Sequence, residues 1–171
     1  MGSIWPANGV RRLDEAMSDL AQAPPQEETT LSIGKMNPSL WIVPLRRRHA
    51  GSRDSADGNW VDARVTIHAG MFEGDYAACL RSDEMAAFRR ELQALLAGES
   101  NIAGYHSLEE WLSIDVTGDQ LGHYRATCTA RDDLGSPNQL AFSIETDRLD
   151  IESLIQAIEG WLRYLPVIGR D

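Results

Sequence analysis

The sequence predicts an α+β fold, a single curved antiparallel sheet of about seven strands with two long helices packed on one face. Several short segments alternate apolar and polar residues, which is typical of strands with one face in water. These segments follow one another as hairpins, without the strand–helix–strand alternation of a parallel sheet. Two longer segments repeat apolar residues every three or four positions, which indicates amphipathic helices. The predicted order is a helix, four strands, a helix, three strands and a helix, so that strands followed by a helix occur twice.

The N-terminal region is predicted to be an appendage. Its apolar residues recur at spacings of three and four positions: Val10, Leu13, Met17 and Leu20. This spacing predicts an amphipathic helix over residues 9–22, which the prolines at 24 and 25 end. We therefore expect residues 1–27 to form a helical arm and residues 28–171 to form a single α+β domain.

The first half of the expected domain begins with two strands, over residues 30–36 and 39–46. Pro44 makes the second of these an edge strand or a bulged one, because proline lacks the N–H that a sheet ladder needs. The polar stretch at residues 50–59, which follows three consecutive arginines, is predicted to be a mobile loop.

The middle of the chain predicts a hairpin and a helix. Residues 60–69 alternate cleanly, residues 70–74 form a turn between glycines, and residues 75–81 return as the next strand. A helix is predicted over residues 83–97, with Gly98 in the place of a left-handed C-terminal residue.

The second half predicts a three-stranded meander and a closing helix. A loop containing Gly104, Tyr105 and His106 comes first. Strands follow at residues 112–117, 124–131 and 140–145, each with one apolar and one polar face. The last helix spans roughly Ile151 to Leu165. Gly160 in its middle weakens it by about 1 kcal/mol relative to alanine, a cost that close packing against the sheet would explain.

Charge is distributed unevenly along the chain. Its 16 basic and 26 acidic residues give a formal net charge of −10. Residues 1–60 hold seven basic and seven acidic residues, so residues 61–171 carry the whole excess. An acidic surface repels phosphate backbones and anionic lipids, which disfavours binding to nucleic acid or to a membrane. A basic protein would be attracted, although the same acidity also serves solubility.

Motifs that carry chemistry are missing from the sequence. Cys79 and Cys128 lack zinc-ligand spacing, none of the four histidines has another histidine three or four positions away, and nucleophile and phosphate-loop signatures are absent. We therefore expect a protein without enzymatic activity, metal or cofactor. No apolar run approaches the ~20 residues of a membrane span, and the N-terminus does not read as a signal peptide, so we expect a cytoplasmic protein.

Acidic pairs and a tryptophan form the candidate binding surface. Adjacent acids can serve acid–base chemistry, but they more often mark a solvated edge or turn. Trp111 is out of phase with the apolar residues that follow it and should point to the polar side beside Glu109 and Asp115, as a protein-binding residue or as one covered by the N-terminal arm. The candidate partner-binding residues are Glu109, Glu110, Trp111, Asp115, Asp132 and Asp133.

The stretch from Trp60 to Leu165 carries a series of segments in a recognisable order. They are Gly70-Met71-Phe72-Glu73-Gly74, the helix at residues 83–92, residues 108–114, Gly122-His123-Tyr124 and residues 140–147. This order resembles that of the WapI-type bacterial immunity proteins and related families.

The resemblance implies an intracellular inhibitor that binds and occludes the catalytic domain of a secreted toxin. Such toxins are often basic nucleases, which an acidic inhibitor would attract. Two alternatives stay open. One is a small-ligand-binding protein or enzyme with a cavity between sheet and helices. The other is a structural or assembly component, such as a homodimer formed through the edge strand at residues 39–46 or the N-terminal helix.

Overall fold

A computed structural model describes residues 27–119 and 122–169, and within them the chain forms two antiparallel four-stranded sheets. The first sheet consists of β1 (Leu31–Ile33), β2 (Ser39–Arg47), β3 (Trp60–Ala69) and β4 (Phe72–Arg81), in that order. The second consists of β5 (Ile102–His106), β6 (Leu112–Gly118), β7 (His123–Ala130) and β8 (Leu140–Asp147). The helices are α1 (Ser55–Gly58), α2 (Ser82–Ala97) and α3 (Arg148–Tyr164), and a 3-10 helix (Glu27–Thr29) precedes β1. We call β1–β4 with α2 the first unit and β5–β8 with α3 the second unit.

The prediction of one seven-stranded sheet is wrong, since the strands divide into two sheets of four. The strand missing from the prediction is β5, whose residues the sequence analysis places in a loop. Ala103 and Tyr105 of β5 are buried, and the strand pairs with β6 along its whole length, from Ile102 opposite Thr117 to His106 opposite Ser113. Because β5 has only five residues with glycine at its centre, its alternation is too short to stand out in the sequence.

The remaining element boundaries fall close to the predicted ones. The strand β4 begins at Phe72, inside the predicted turn, and α3 begins at Arg148, where the side chain of Asp147 accepts a hydrogen bond from the backbone N–H of Asp150 at 2.9 Å. The predicted loop at residues 50–59 contains α1. The predicted N-terminal helix lies outside the described residues.

One hydrophobic core is shared by the two units. The inner residues of β3 and β6 are almost completely buried: Val61, Ala63, Val65, Ile67, Leu112, Ile114 and Val116. Trp161 of α3 is fully buried, and its indole Nε1 donates to Ser82 Oγ at 3.4 Å. Ser82 Oγ in turn donates to the carbonyl oxygen of Leu165 at 2.8 Å. The start of α2 is therefore joined to the end of α3 across the core.

Gly160 is explained by a different neighbour from the one predicted. A Cβ at this position would overlap the backbone carbonyl oxygen of Glu28, which belongs to the 3-10 helix rather than to the sheet. Glycine therefore allows the N-terminal end of the described chain to lie directly on α3. None of the helices in the described ranges is both long and apolar enough to cross a membrane.

Candidate protein-binding surface

The β5–β6 turn (residues 107–111) and the β7–β8 loop (residues 131–139) lie at the same end of the second sheet. They are held together by the backbone N–H of Arg131, which donates to the carbonyl oxygen of Trp111 at 3.0 Å. The Arg131 guanidinium also lies 3.1 Å from Glu110 Oε2. We call residues 107–111 and 131–134 the acidic end. It unites five of the six candidate residues: Glu109, Glu110, Trp111, Asp132 and Asp133.

The sixth candidate, Asp115, lies away from the acidic end. It sits in the middle of β6 on the outer face of the sheet, opposite Gly104 and Thr127. Its Oδ1 is 2.8 Å from Nε2 of His106 on the neighbouring strand. The expected neighbourhood of Trp111 and Asp115 is therefore not found, because Trp111 directly precedes β6 and four residues of extended chain span roughly 13 Å.

Trp111 is half-buried and anchors the acidic end to the first unit. Its ring stacks on Tyr76 of β4, with 6.4 Å between the ring centroids, and the Tyr76 hydroxyl donates to the Trp111 carbonyl oxygen at 3.3 Å. The indole Nε1 donates to Glu109 Oε2 at 3.2 Å. Burial, with the nearby charge of Asp132 as a second cause, raises the pKa of Tyr76, so that its hydroxyl stays a donor at neutral pH. The Trp111 side chain thus packs against the first unit and positions the turn, and little of it projects from the acidic end.

Two exposed leucines stand beside the carboxylates of the acidic end. Leu108 is 66% exposed and Leu134 is 40% exposed. Each is adjacent to one of the acidic pairs, Glu109–Glu110 or Asp132–Asp133. Neither leucine is among the candidate residues predicted from the sequence. The sequence signal for each was an apolar residue next to two acids within a loop, where no strand or helix pattern accounts for it. Apolar tips surrounded by charge are the arrangement of a protein interface with a polar rim.

Glu110 is held in a strained backbone conformation. Its φ is 59°, and it is the one non-glycine residue of the described ranges with a positive φ. The left-handed conformation costs a side-chain-bearing residue roughly 1 kcal/mol relative to glycine. The fold therefore does not require a charged residue at position 110, where glycine would suit the backbone better. Such strain is often associated with function.

The helix α2 contacts the β5–β6 turn at Leu108. Glu84, in the first turn of α2, accepts a hydrogen bond from the Leu108 backbone N–H through Oε1 at 3.1 Å. The other carboxylate oxygen of Glu84 is buried and has no hydrogen-bond partner within residues 27–119 and 122–169. Burial raises the pKa of Glu84 to about 7, while the Leu108 N–H acts in the opposite direction.

An open groove of about 720 Å³ lies between the β3–β4 turn and the start of β8. Its walls include Pro38, Met71, Phe72, Leu140 and Phe142, and it is lined without a charged residue. A ligand-binding or catalytic cavity would bring polar groups together in an enclosed space. This groove offers neither property, so it lends no support to the cavity alternative.

The part of the chain that the structure describes contains no arranged site for metal binding or for thiol chemistry. No group of three or more His, Cys, Asp or Glu side chains there could hold a metal ion. Cys79 and Cys128 are buried free thiols, and burial raises the pKa of each to about 12. Both thiols are therefore protonated at neutral pH and poor nucleophiles.

Comparison with known proteins identifies one matching family. Residues 32–166 match the model of the Immunity protein WapI-like family, which confirms the resemblance drawn from residues 60–165 and extends it toward the N-terminus. Among solved structures, a chain of the Trypanosoma bruciei MRP1/MRP2 crystal structures is similar, with a TM-score of 0.47 and 16% identity over 95% of this chain and 96% of that chain. No curated protein matches the chain.

Proposed function

Because the chain belongs to the Immunity protein WapI-like family, we propose that it is an inhibitor that binds a basic toxin domain and occludes it. The proposed contact surface is the acidic end, with Glu109, Glu110, Asp132 and Asp133 facing the partner and Trp111 supporting the turn. The observation that carries this choice is the exposure of Leu108 and Leu134 among those four carboxylates. Occlusion requires a complementary surface and no catalytic group.

Charge supports a basic partner. Residues 99–169, which contain the second unit, hold twelve acidic and only four basic residues. The basic residue within the acidic end, Arg131, is already paired with Glu110. The remaining carboxylates would attract a cationic protein over long range and speed its association, an effect that salt weakens.

The two leucines would supply the part of the contact that does not depend on salt. Burying an exposed leucine contributes about 1.5–3 kcal/mol when water is fully excluded. Interfaces commonly place a few such residues at the centre and charged residues around them. In this arrangement the carboxylates would attract the partner, and burial of the leucines would stabilise the complex. Asp115 would take part only if the partner extended over the outer face of the second sheet.

The first test is affinity capture from lysate and secreted fractions of the source organism, at low and at high salt, followed by mass spectrometry. We expect a basic protein whose retention weakens as salt rises. Its activity, once assayed, should be abolished by a stoichiometric amount of this protein. A captured protein whose activity is unaffected would contradict the inhibitor proposal.

The second test uses charge reversal to locate the contact. The variant Glu110→Lys/Asp132→Lys alters the acidic end. The control Glu145→Lys/Glu152→Lys makes the same change in net charge elsewhere on the second unit, at residues that pair with Arg125 and Arg148. We expect the first variant to weaken binding on the order of tenfold or more and to flatten its salt dependence.

The control should change binding much less. If both variants weaken binding equally, the partner responds to net charge and not to the acidic end. If only the control weakens binding, the contact lies on the outer face of the second sheet or on α3.

A further inference from the structure

Two buried oxygen atoms that have no hydrogen-bond partner among the described residues lie beside the β5–β6 turn. One is Oε2 of Glu84, whose other oxygen holds the Leu108 N–H. The other is the hydroxyl of Tyr105 on β5, a residue that is 1% exposed. The two side chains interact, and the pKa of Tyr105 is raised well above its ordinary value by burial first and by Glu84 among other groups. Buried polar atoms without partners are costly, so this pair needs an explanation.

We infer that the β5–β6 turn is a proton-dependent latch, which stays closed when Glu84 carries a proton and opens more readily when Glu84 is ionised. The turn carries Leu108, Glu109 and Glu110, so the latch would regulate the proposed binding surface. That consequence rests on the proposed function, whereas the latch itself is a property of the isolated protein.

A single proton on Glu84 removes the buried charge without breaking the hydrogen bond to the turn. A protonated Glu84 can keep accepting the Leu108 N–H through Oε1, while its own O–H donates to the Tyr105 hydroxyl oxygen. No charge is then buried. Ionised Glu84 leaves a carboxylate charge partly desolvated between α2 and the turn, where the free energy of the charged form is raised.

The charged groups around Glu84 also favour the proton. Asp83 faces it from α2 and Glu109 from the turn, and both are acidic. Arg81, at the end of β4, is the nearby cation, but its guanidinium makes two hydrogen bonds of 3.0 Å to Asp83. On the side of Tyr105 the neighbour from β4 is Cys79, a neutral thiol. In the part of the chain that the structure describes, Glu84 therefore has no cation of its own.

Opening of the turn is linked to pH through Glu84. In the closed turn burial raises the pKa of this carboxyl to about 7, and in an open turn water restores its ordinary, lower value. Opening thus releases a proton, so the open form becomes more populated as pH rises. The expected change lies in the range in which an ordinary glutamate is already ionised and the closed Glu84 is not.

Amide hydrogen exchange at Leu108, followed by NMR between pH 5.5 and pH 8.5 and corrected for intrinsic exchange, tests the latch. We expect the protection of this amide to fall on the order of tenfold over that range. In Glu84→Gln, whose side chain is neutral and still accepts the Leu108 N–H, protection should not change with pH. The matched control is Glu91→Gln, because Glu91 on the same helix accepts the Gly104 N–H at 2.8 Å from an exposed position. This control should retain the pH dependence at Leu108.

Three results would overturn the latch. They are constant protection in the natural sequence, an unchanged pH dependence in Glu84→Gln, and protection at Leu108 equal to that at Val65 in the core of β3 throughout the pH range, which would indicate exchange through global unfolding alone. Because no partner is needed, failure of the proposed function leaves this experiment intact. A failed latch likewise leaves the capture and charge-reversal tests intact.

Discussion

The two units share their order of four strands and a long helix, yet they differ sharply in charge. Residues 27–98 hold nine basic and ten acidic residues, against four and twelve in residues 99–169. The buried faces are alike, with Val61 and Val65 in the first sheet matched by Ile114 and Val116 in the second. The apolar alternation is what the fold requires of both units. Charge is free to differ, and its difference therefore points to function.

The acids of the two units also have different surroundings. In the first unit they are balanced locally, since Asp62 accepts hydrogen bonds from Arg46 and Arg48, and Asp75 pairs with Arg64. The second unit has too few basic residues to balance its acids in this way. Its negative field therefore extends into solvent, where it acts on other molecules.

The largest expected effect tests whether the two units unfold together. Trp161→Ala removes a fully buried indole that joins α3 to Ser82 at the start of α2, and we expect it to lower the free energy of unfolding by about 3–5 kcal/mol. Urea denaturation should show one transition shifted to lower urea. The control is Trp41→Ala, a half-buried tryptophan on the outer face of the first sheet, which should cost less. A retained transition of the first unit alone would show that the units are independent.

A smaller effect concerns the carboxyl buried at the contact between the units. The folded protein holds the pKa of Glu84 at about 7, above the ordinary 4.5. Between these values the folded state binds more protons than the unfolded one, so its stability falls as pH rises from about 4.5 to 7 and stays lower above. Glu84→Gln removes this loss. We expect the variant to be more stable than the natural sequence by about 1–2 kcal/mol at pH 8, less than the full shift implies because the side chain is partly solvated.

Urea denaturation at pH 5 and at pH 8 measures this difference, which should be much smaller at pH 5. The exposed Glu91→Gln should show no comparable change between the two values. A Glu84→Gln variant that is less stable than the natural sequence at pH 8 would mean that the Leu108 hydrogen bond outweighs the burial of charge.

Much of the fold could be predicted from alternation, and the error shows what alternation lacks. The pattern identifies β3 and the buried side of each strand. It does not say which edges pair, so the prediction places β4 and β6, the predicted strands on either side of α2, in one sheet, whereas they belong to two. Pairing between distant segments depends on tertiary packing, which leaves no local signal. The residues around Gly104 form a strand because they pair with β6, and the sequence carries no local sign of that pairing.

The acidic end was only partly visible in the sequence. The acidic pairs could be named because charge is a property of the residue. Three other features could not be predicted, because each depends on how the turn packs against the first unit. They are the exposure of Leu108, the burial of Glu84 and the stacking of Trp111 on Tyr76. Asp115 is grouped with Trp111 because alternation puts both on the polar face, but Asp115 lies four residues further along the extended chain, in the middle of β6.

The smallest expected effect compares one turn from each unit. The β3–β4 turn places Gly70 at φ 68°, and the β5–β6 turn places Glu110 at φ 59°. Glu110→Gly and Glu110→Ala both lose the exposed pair with Arg131, worth less than about 1 kcal/mol, but only glycine relieves the backbone. We expect the glycine variant to exceed the alanine variant by about 1 kcal/mol in urea denaturation. Both should bind the partner more weakly than the natural sequence. Equal stability of the two variants would mean that the turn relaxes without glycine, and the argument that Glu110 is kept for its surface charge would lose its support.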